Sequence, residues 1–361
     1  VDNGLVRENG AFKIIKGEQG IEVNVEDSIA AIENYISSEW DGGNAEIELV
    51  AEVVEPRGSE EDLEQITDMM GSYTTNYKDS GQNRCDNISN ATSKINGTLL
   101  YPGEEFSVYE AIGPLDAANG YELAGAYENG QTVESYGGGV CQVSTTLYNA
   151  VILAELEITQ RSNHSMIVSY VKPSMDAAIA GDYKNLRFVN NQDIPIYIEG
   201  YTEGKNVTFK IYGHDTRPSN RVVTYESEVV SEQDPGTQYV ATGDPAGYMK
   251  TAQGKHIGYV ARLWKVVTVD GVEESREIFN KSTYKASPKI VNVGTASADP
   301  NVSAVIGAAL ATGDEATINA AVAPYAASAA AILNPAPVEQ PSQEEQAITG
   351  TVDESQITGG E

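Results

Sequence analysis

The residue of this chain best suited to chemistry is a cysteine that follows three consecutive glycines. Cys141 lies in the run YGGGVCQVS over residues 136–144. Consecutive glycines permit a backbone path that side chains would forbid, and they let a ligand approach the chain closely. The run leads into a predicted helix, whose unpaired N–H groups and dipole favour a thiolate over a thiol. Backbone N–H groups at Gly138, Gly139 and Cys141 are predicted to stabilise an oxyanion, so the pattern indicates acyl transfer through a thioester.

A cysteine nucleophile requires a base, and the segment after the predicted helix supplies one candidate. His164 is the only histidine inside the region of dense motifs, and Asp176 is the nearest downstream carboxylate able to orient an imidazole. Simpler interpretations stay open: a buried cysteine can be a small apolar residue, a histidine a structural donor, and an aspartate a cap. The hydroxyls of residues 144–146 lie deeper in the helix and are interpreted as structural groups or caps.

Composition limits the possible partners. The 361 residues include 53 acidic and 23 basic side chains, for a formal net charge of −30. This charge argues against nucleic acid, whose phosphates it would repel, and against unassisted docking on anionic lipid. Three histidines give only weak support for a zinc site, so no metal and no organic cofactor is predicted.

The chain shows no sign of its own targeting. No apolar run is expected to reach the length of a membrane span, and residues 1–10 lack the features of a signal peptide. We therefore expect a segment of a longer protein, attached to a membrane only through an N-terminal anchor outside this sequence.

The second cysteine, Cys85, matters because a disulfide with Cys141 would remove the nucleophile under oxidising conditions. Two cysteines make no disulfide framework, and neither lies in a CxxC motif. We predict that Cys85 is an incidental helix residue and that Cys141 is a free thiol.

Four stretches of different texture surround these residues and predict a multi-domain α+β protein. They are a small α+β unit over 1–60, a mixed α/β domain over 61–215, a β-rich module over 220–295 and a disordered acidic tail over 296–361. The alternative for part of the tail is an Ala-rich helix at 302–310 that forms only transiently.

Hydrophobic periodicity predicts the individual elements. Predicted helices cover 28–36, 61–70, 87–95 and 141–156. Predicted strands cover 12–15, 21–25, 45–54, 166–170, 186–189, 194–199, 207–212, 221–225, 259–269 and 274–279. Asp270-Gly271 is predicted to form a hairpin turn.

Several motifs together resemble the VanW family, over about residues 74–215. They are PGEEFS at 102–107, Gly113, Gly120-Tyr121, GGGVCQVSTTLYN at 137–149, Arg161 with His164, Asp176-Ala177, and Ile211-Tyr212-Gly213. Arg84, Asn87 and Asn96-Gly97 fit the opening helix of the family.

The flanking stretches also resemble modules of cell-wall proteins. Residues 1–60 look like the later part of a peptidoglycan-binding module that often precedes the VanW domain. Residues 220–295 look like the small G-five domain, which is usually credited with binding polymers that contain N-acetylglucosamine. The run GDPAG at 243–247 departs from the more apolar turn expected in that domain.

The resemblance implies an extracellular enzyme in the wall or on the surface of a Gram-positive bacterium. Some family members look like L,D-transpeptidases that use this cysteine on peptidoglycan stem peptides. Cys141 would then be the nucleophile and His164 its base, with Asp176 orienting the imidazole. Arg84, Arg161 and Tyr170 would hold substrate carboxylates, although Arg161 could equally form a structural ion pair.

Two other functions stay open on the sequence. In the first, the protein binds wall peptides or glycans without catalysis and the cysteine is structural. In the second, water resolves the thioester, and the protein is an L,D-carboxypeptidase. In each case the expected partners are stem peptides and glycan strands.

Overall fold

The structure is a computed structural model that describes residues 1–128 and 131–333. Its contacts define two compact units. The first contains Val1–Pro235 and Lys255–Ser287, and the second contains Gly236–Gly254 and the described residues from Pro288 to Leu333. The boundaries of these two units differ from those of the four predicted stretches, and the predicted domain boundaries stay predictions.

Helices and strands follow one another in separate runs rather than in strict alternation, as expected for the predicted α+β class. The helices are α1 (Val25–Ser38), α2 (Glu60–Glu64), α3 (Gln82–Ile95), α4 (Val108–Ile112), α5 (Val140–Leu153), α6 (Pro300–Thr312), α7 (Glu315–Val322) and α8 (Ala326–Leu333). The strands are β1 (Gly4–Glu8), β2 (Ala11–Ile15), β3 (Gly20–Val23), β4 (Ala51–Val54), β5 (Asp68–Asn76), β6 (Thr98–Leu100), β7 (Glu105–Ser107), β8 (Leu123–Glu128), β9 (Gln131–Tyr136), β10 (Glu157–Gln160), β11 (Arg187–Val189), β12 (Ile196–Glu203), β13 (Asn206–Gly213), β14 (Arg221–Gln233), β15 (Thr237–Pro245), β16 (Met249–Gln253), β17 (Gly258–Val269), β18 (Val272–Tyr284) and β19 (Lys289–Ala296).

The first unit is built around an antiparallel sheet in the order β5-β13-β12-β6. Helix α5 packs on β5 and β13. Close approach at this point depends on Gly71, because a Cβ there would lie 2.2 Å from the Ala150 carbonyl oxygen. Along α5, residues 142–152 are all buried, so the helix forms the centre of the core rather than an amphipathic layer at its edge.

A second sheet of the first unit, in the order β14-β17-β18, shares this core. Leu263 of β17 is fully buried in the same cluster as the α5 side chains, with Tyr225 and Phe279 packed against it. The predicted turn at Asp270-Gly271 is confirmed, since Val269 pairs directly with Val272 across it. Burial of aromatic and aliphatic side chains therefore joins this sheet to the α5 region.

Two predicted elements of the first unit are wrong, and of the strand predicted over 45–54 only Ala51–Val54 forms. The helix predicted over 61–70 ends at Glu64, and Met70 lies in β5, whose pairing with β13 outweighs the local periodicity. Residues 166–170 are described by the structure and form no strand. Met166 and Val168 are buried as the alternation requires, but the backbone there pairs in no strand ladder.

The second unit places helices where a disordered tail was predicted. Its sheet has the order β15-β19-β16, with β15 and β19 parallel. Ile306, Ile318 and Val322 of the helices are buried in a cluster with Val293 of that sheet. The Ala-rich composition of these helices does not indicate the sheet against which they pack. The tail prediction is therefore wrong up to residue 333, and residues 334–361 lie outside the described chain.

One helical run also corrects the expectation about membrane spans. Among the described residues, Glu315–Leu333 is long and apolar enough to cross a membrane by length and composition alone. Within this run Ile318, Val322 and Ala329 are buried in the second unit.

Candidate active site

The glycine turn places Cys141 at the beginning of α5. The helix starts at Val140, and its N-cap Gly139 has φ 117°, a conformation that favours glycine. A Cβ on Gly138 would lie 2.6 Å from the Ala124 carbonyl oxygen, so the turn also needs glycine for space. Cys141 is half-buried, whereas residues 142–152, which follow it in α5, are buried. At the beginning of the helix the turn thus leaves the thiol partly accessible.

The polar side of α5 holds the loop that faces the thiol. The Thr145 hydroxyl accepts a hydrogen bond from the Ala177 N–H at 3.0 Å and lies 3.2 Å from the Ala177 carbonyl oxygen. The Asn149 amide donates to the Met175 carbonyl oxygen at 2.8 Å. The Ile179 N–H lies 3.4 Å from Cys141 Sγ. These bonds hold the backbone on both sides of Asp176. Thr145 is thus a structural group, as interpreted from the sequence, whereas the role of Asn149 was not predicted.

The structure brings Cys141, His164 and Asp176 together. His164 Nδ1 and the His164 backbone N–H each lie 2.7 Å from Asp176 Oδ2. The imidazole lies near enough to the Cys141 thiol for each group to shift the pKa of the other, while the thiol donates to the Ile179 carbonyl oxygen at 3.5 Å. Its Nε2 lies 3.5 Å from Tyr170 Oη. One imidazole therefore connects a carboxylate to a thiol, the order required of a nucleophile, a base and an orienting group.

The other carboxylate oxygen of Asp176, Oδ1, is bound by Arg161 and Tyr284. Arg161 Nη2 lies 3.1 Å from Asp176 Oδ1, and Arg161 Nε donates to the Asp176 carbonyl oxygen at 2.7 Å. Tyr284 Oη donates to Asp176 Oδ1 at 2.5 Å. Asp176 is 1% exposed, so nearly all its hydrogen-bonding capacity is used inside the protein.

These contacts change the pKa values of all three groups. Burial raises the pKa of the Cys141 thiol, but the hydrogen bond and charge of His164 outweigh burial, and the pKa lies below the ordinary value. Burial lowers the pKa of His164, but Asp176 and Cys141 raise it to about 9. Burial raises the pKa of Asp176, but His164 and Arg161 lower it to about 2. Both shifts run in the direction that favours a thiolate beside an imidazolium, a reactive form of cysteine.

A cleft of about 1120 Å³ opens beside the site. Its lining includes Tyr170, Arg84 and Gln142. The Arg84 guanidinium donates to Gln142 Oε1 at 2.8 Å and to Ser80 Oγ at 2.6 Å, which fixes its position on the wall. Two of the three predicted substrate-binding residues, Arg84 and Tyr170, thus line the same cleft.

The remaining predicted groups have other surroundings. The donors of Arg161 are occupied by Asp176 and Ser282, which is the structural ion pair given above as the alternative. The Gly138 N–H donates to the Ser135 carbonyl oxygen at 3.3 Å within the turn, so the structure does not leave it for an oxyanion. Both cysteines are free. In the described part of the chain no group of three or more His, Cys, Asp or Glu could hold a metal ion.

Comparison with known proteins identifies the class of protein. Residues 83–212 match the family "VanW like protein", and residues 224–296 match the G5 domain. The uncharacterised protein YoaR of Bacillus subtilis (strain 168) is 31% identical over 214 residues, which are 59% of this chain and 69% of YoaR. The vancomycin B-type resistance protein VanW of Enterococcus faecalis (strain ATCC 700802 / V583) is 30% identical over 118 residues, 31% of this chain and 42% of that protein.

The chain belongs to the VanW family, and a G5 domain follows its VanW domain. Among solved structures, the G5 domain of an IgA1 protease is 26% identical and covers 21% of this chain and 94% of its own, with a TM-score of 0.16. By the sequence match over residues 224–296, the sheet β14-β17-β18 belongs to the G5 domain.

Proposed function

We propose that this protein is a cysteine-dependent L,D-transpeptidase that forms three-to-three crosslinks between peptidoglycan stem peptides. The observation that carries the proposal is a His164 imidazole that lies 2.7 Å from Asp176 Oδ2 and near enough to the Cys141 thiol to lower its pKa. A thiolate next to an imidazolium can form a thioester and also has an acid at hand for the leaving amine.

The proposed reaction has two halves. In the first, the Cys141 thiolate attacks the carbonyl carbon that joins the third stem residue to the terminal D-alanine. The C–N bond breaks, and the His164 imidazolium protonates the leaving D-alanine amine. In the second, an amine of a neighbouring stem attacks the thioester and gives its proton to His164, while Cys141 leaves as a thiolate. The resting state is restored, and one amide bond has been exchanged for another.

The surroundings supply the other groups that this reaction needs. The N–H groups of Gly139 and Cys141 are the proposed oxyanion donors at the beginning of α5. Arg84 on the cleft wall is the proposed partner of a substrate carboxylate, because a guanidinium can bind one through two parallel hydrogen bonds. Tyr170, which lies between the cleft and His164, is proposed to orient the substrate.

The proposed setting is the outside of the cell. Stem peptides and glycan strands are found in the wall, and we propose that residues 1–60 and the G5 domain keep the chain there by binding wall polymers. The proposed location is therefore the wall or the surface of a Gram-positive bacterium. A strongly acidic protein would depend on such binding, since its net charge of −30 repels anionic surfaces.

The test is the intact mass of the protein after incubation with purified disaccharide–tetrapeptide, followed by analysis of the products. Wild type should gain the mass of the acyl group and release a crosslinked dimer, and Cys141→Ala should do neither. Cys85→Ala is the matched control, because it removes the other free thiol and should behave as wild type.

Each other result selects a different function. A shortened monomer without dimer would mean that water resolves the thioester, as in an L,D-carboxypeptidase. If wild type and Cys141→Ala both leave the substrate unchanged and still bind wall fragments, the protein is a binding module with a structural cysteine.

A further inference from the structure

We propose that the end of strand β18, which belongs to the G5 domain, completes the candidate active site, and that Tyr284 is a positioning residue for Asp176. The proposal rests on the proposed function, because the orientation of Asp176 affects the reaction only if His164 is the base for Cys141. It assigns the G5 domain a role beyond binding wall polymers.

The hydroxyl of Tyr284 contacts the carboxylate and the loop that carries it. It donates to Asp176 Oδ1 at 2.5 Å and accepts a hydrogen bond from the Ser174 N–H at 2.7 Å. Tyr284 is 2% exposed, so water does not replace either bond readily. One phenolic oxygen therefore sets the distance between a backbone amide of the loop and the carboxylate two residues later.

The loop needs such support because its backbone is strained. Ser174 has φ 66°, a left-handed conformation that is unfavourable for a residue other than glycine, and it is fully buried. Its N–H is bound by Tyr284, and its carbonyl oxygen accepts a hydrogen bond from Asn280 Nδ2 at 3.2 Å. Both backbone groups of the strained residue are thus satisfied by β18.

The same strand end also binds the segment that carries His164. Arg161 Nη1 donates to Ser282 Oγ at 2.9 Å, and the Asn163 amide donates to the Thr283 carbonyl oxygen at 2.9 Å. The Lys285 N–H, just beyond the strand, donates to the Ser165 carbonyl oxygen at 2.7 Å. Residues on both sides of His164 are therefore attached to the G5 domain.

The two oxygens of the Asp176 carboxylate have different hydrogen-bond partners. Oδ1 is held by Arg161 and Tyr284, while Oδ2 accepts from the backbone N–H and from Nδ1 of His164. With Oδ1 fixed, the carboxylate cannot rotate away from the imidazole. Loss of the Tyr284 hydroxyl should loosen this orientation and weaken the support that the imidazolium gives to the Cys141 thiolate.

The test is the pH dependence of Cys141 alkylation by iodoacetamide, measured by intact mass in a Cys85→Ala background. Tyr284→Phe removes the hydroxyl and keeps the ring. It should raise the midpoint of the alkylation profile and slow alkylation at pH 7 by roughly two- to tenfold, the range expected for one buried hydrogen bond. Tyr225→Phe is the matched control: it removes a hydroxyl of the same domain that bonds the Ile152 carbonyl oxygen, away from the thiol.

A profile of Tyr284→Phe that coincides with that of Tyr225→Phe would overturn the proposal. If Tyr284→Phe does not fold, Ser282→Ala takes its place, since it removes the acceptor of Arg161 Nη1, and it should shift the profile in the same direction. The alkylation measurement uses no peptidoglycan. Suppose that wild-type Cys141 is alkylated with a midpoint below that of an ordinary cysteine, but that the protein forms no stem-peptide adduct. This result would refute the proposed function and would leave the role of Tyr284 in positioning Asp176 standing.

Discussion

Replacing Asp176 with asparagine tests the charge at the centre of the site. The change keeps the shape of a side chain that is 1% exposed and removes its negative charge. His164 and Arg161 would then lose their anionic partner inside the protein. A buried guanidinium without its carboxylate is costly, since breaking a buried ion pair usually destabilises by about 3–5 kcal/mol.

The pKa of Asp176 gives a second measure of the same interaction. A pKa of about 2 in place of the ordinary 3.8 corresponds to about 2.5 kcal/mol of folding stability. Because this pKa is depressed, the contribution is present above pH 3.8 and is lost as the pH falls through about 2. Asp176→Asn should therefore lower the free energy of unfolding at pH 7 by about 2.5–5 kcal/mol, and the deficit should shrink toward pH 2.

The assay is urea unfolding followed by intrinsic fluorescence at several pH values between 7 and 2.5. Asp182→Asn is the matched control, because Asp182 pairs with Arg187 at 2.7 Å but its side chain is 72% exposed. An exposed pair of this kind contributes at most about 1 kcal/mol. The reasoning fails if Asp176→Asn loses no more stability than Asp182→Asn, or if its deficit is the same at pH 7 and pH 2.5.

Two further predictions concern stability. His164 has a pKa raised to about 9 from 6.5, so its contribution is complete below pH 6.5 and is lost as the pH rises through about 9. Urea titrations from pH 7 to 10 should show the free energy of unfolding of wild type falling toward that of His164→Gln. A difference in free energy between the two proteins that stays constant over this range would contradict the prediction. Gly71→Ala should destabilise by about 1–3 kcal/mol or more, since its Cβ would lie 2.2 Å from the Ala150 carbonyl oxygen. Gly307→Ala in α6, with nothing within 4 Å, should stabilise by about 0.5–1 kcal/mol, and equal melting temperatures for the two variants would refute the packing argument.

Elements with strong local signals could be predicted from the sequence. The helix over 141–156 was expected from apolar spacing after three glycines, and the structure has α5 at Val140–Leu153. The turn at Asp270-Gly271 follows from two residues that tolerate positive φ, here 52° and 77°. Both signals act over a few residues, so they do not depend on the rest of the fold.

Elements whose structure depends on distant partners were missed. Residues 166–170 alternate like a strand, but a strand also needs a neighbour with free backbone groups, and no ladder is available to them in the structure. The sequence predicts a disordered tail where the Ala-rich helices after residue 300 lie, because their composition does not indicate the sheet that buries Ile306 and Ile318.

The sequence by itself determined the local surroundings of the candidate nucleophile: a cysteine, three glycines that permit the turn, and apolar spacing that predicts a helix over 141–156. It also limited the candidates for a base to one histidine with a carboxylate 12 residues away. Only the tertiary structure decided which groups complete the site. Tyr284 lies 108 residues from Asp176 along the chain, and its contact exists because the G5 sheet and α5 bury their apolar side chains in one core. Hydrophobic burial has no direction of its own, so no local pattern could indicate which polar groups it would bring together.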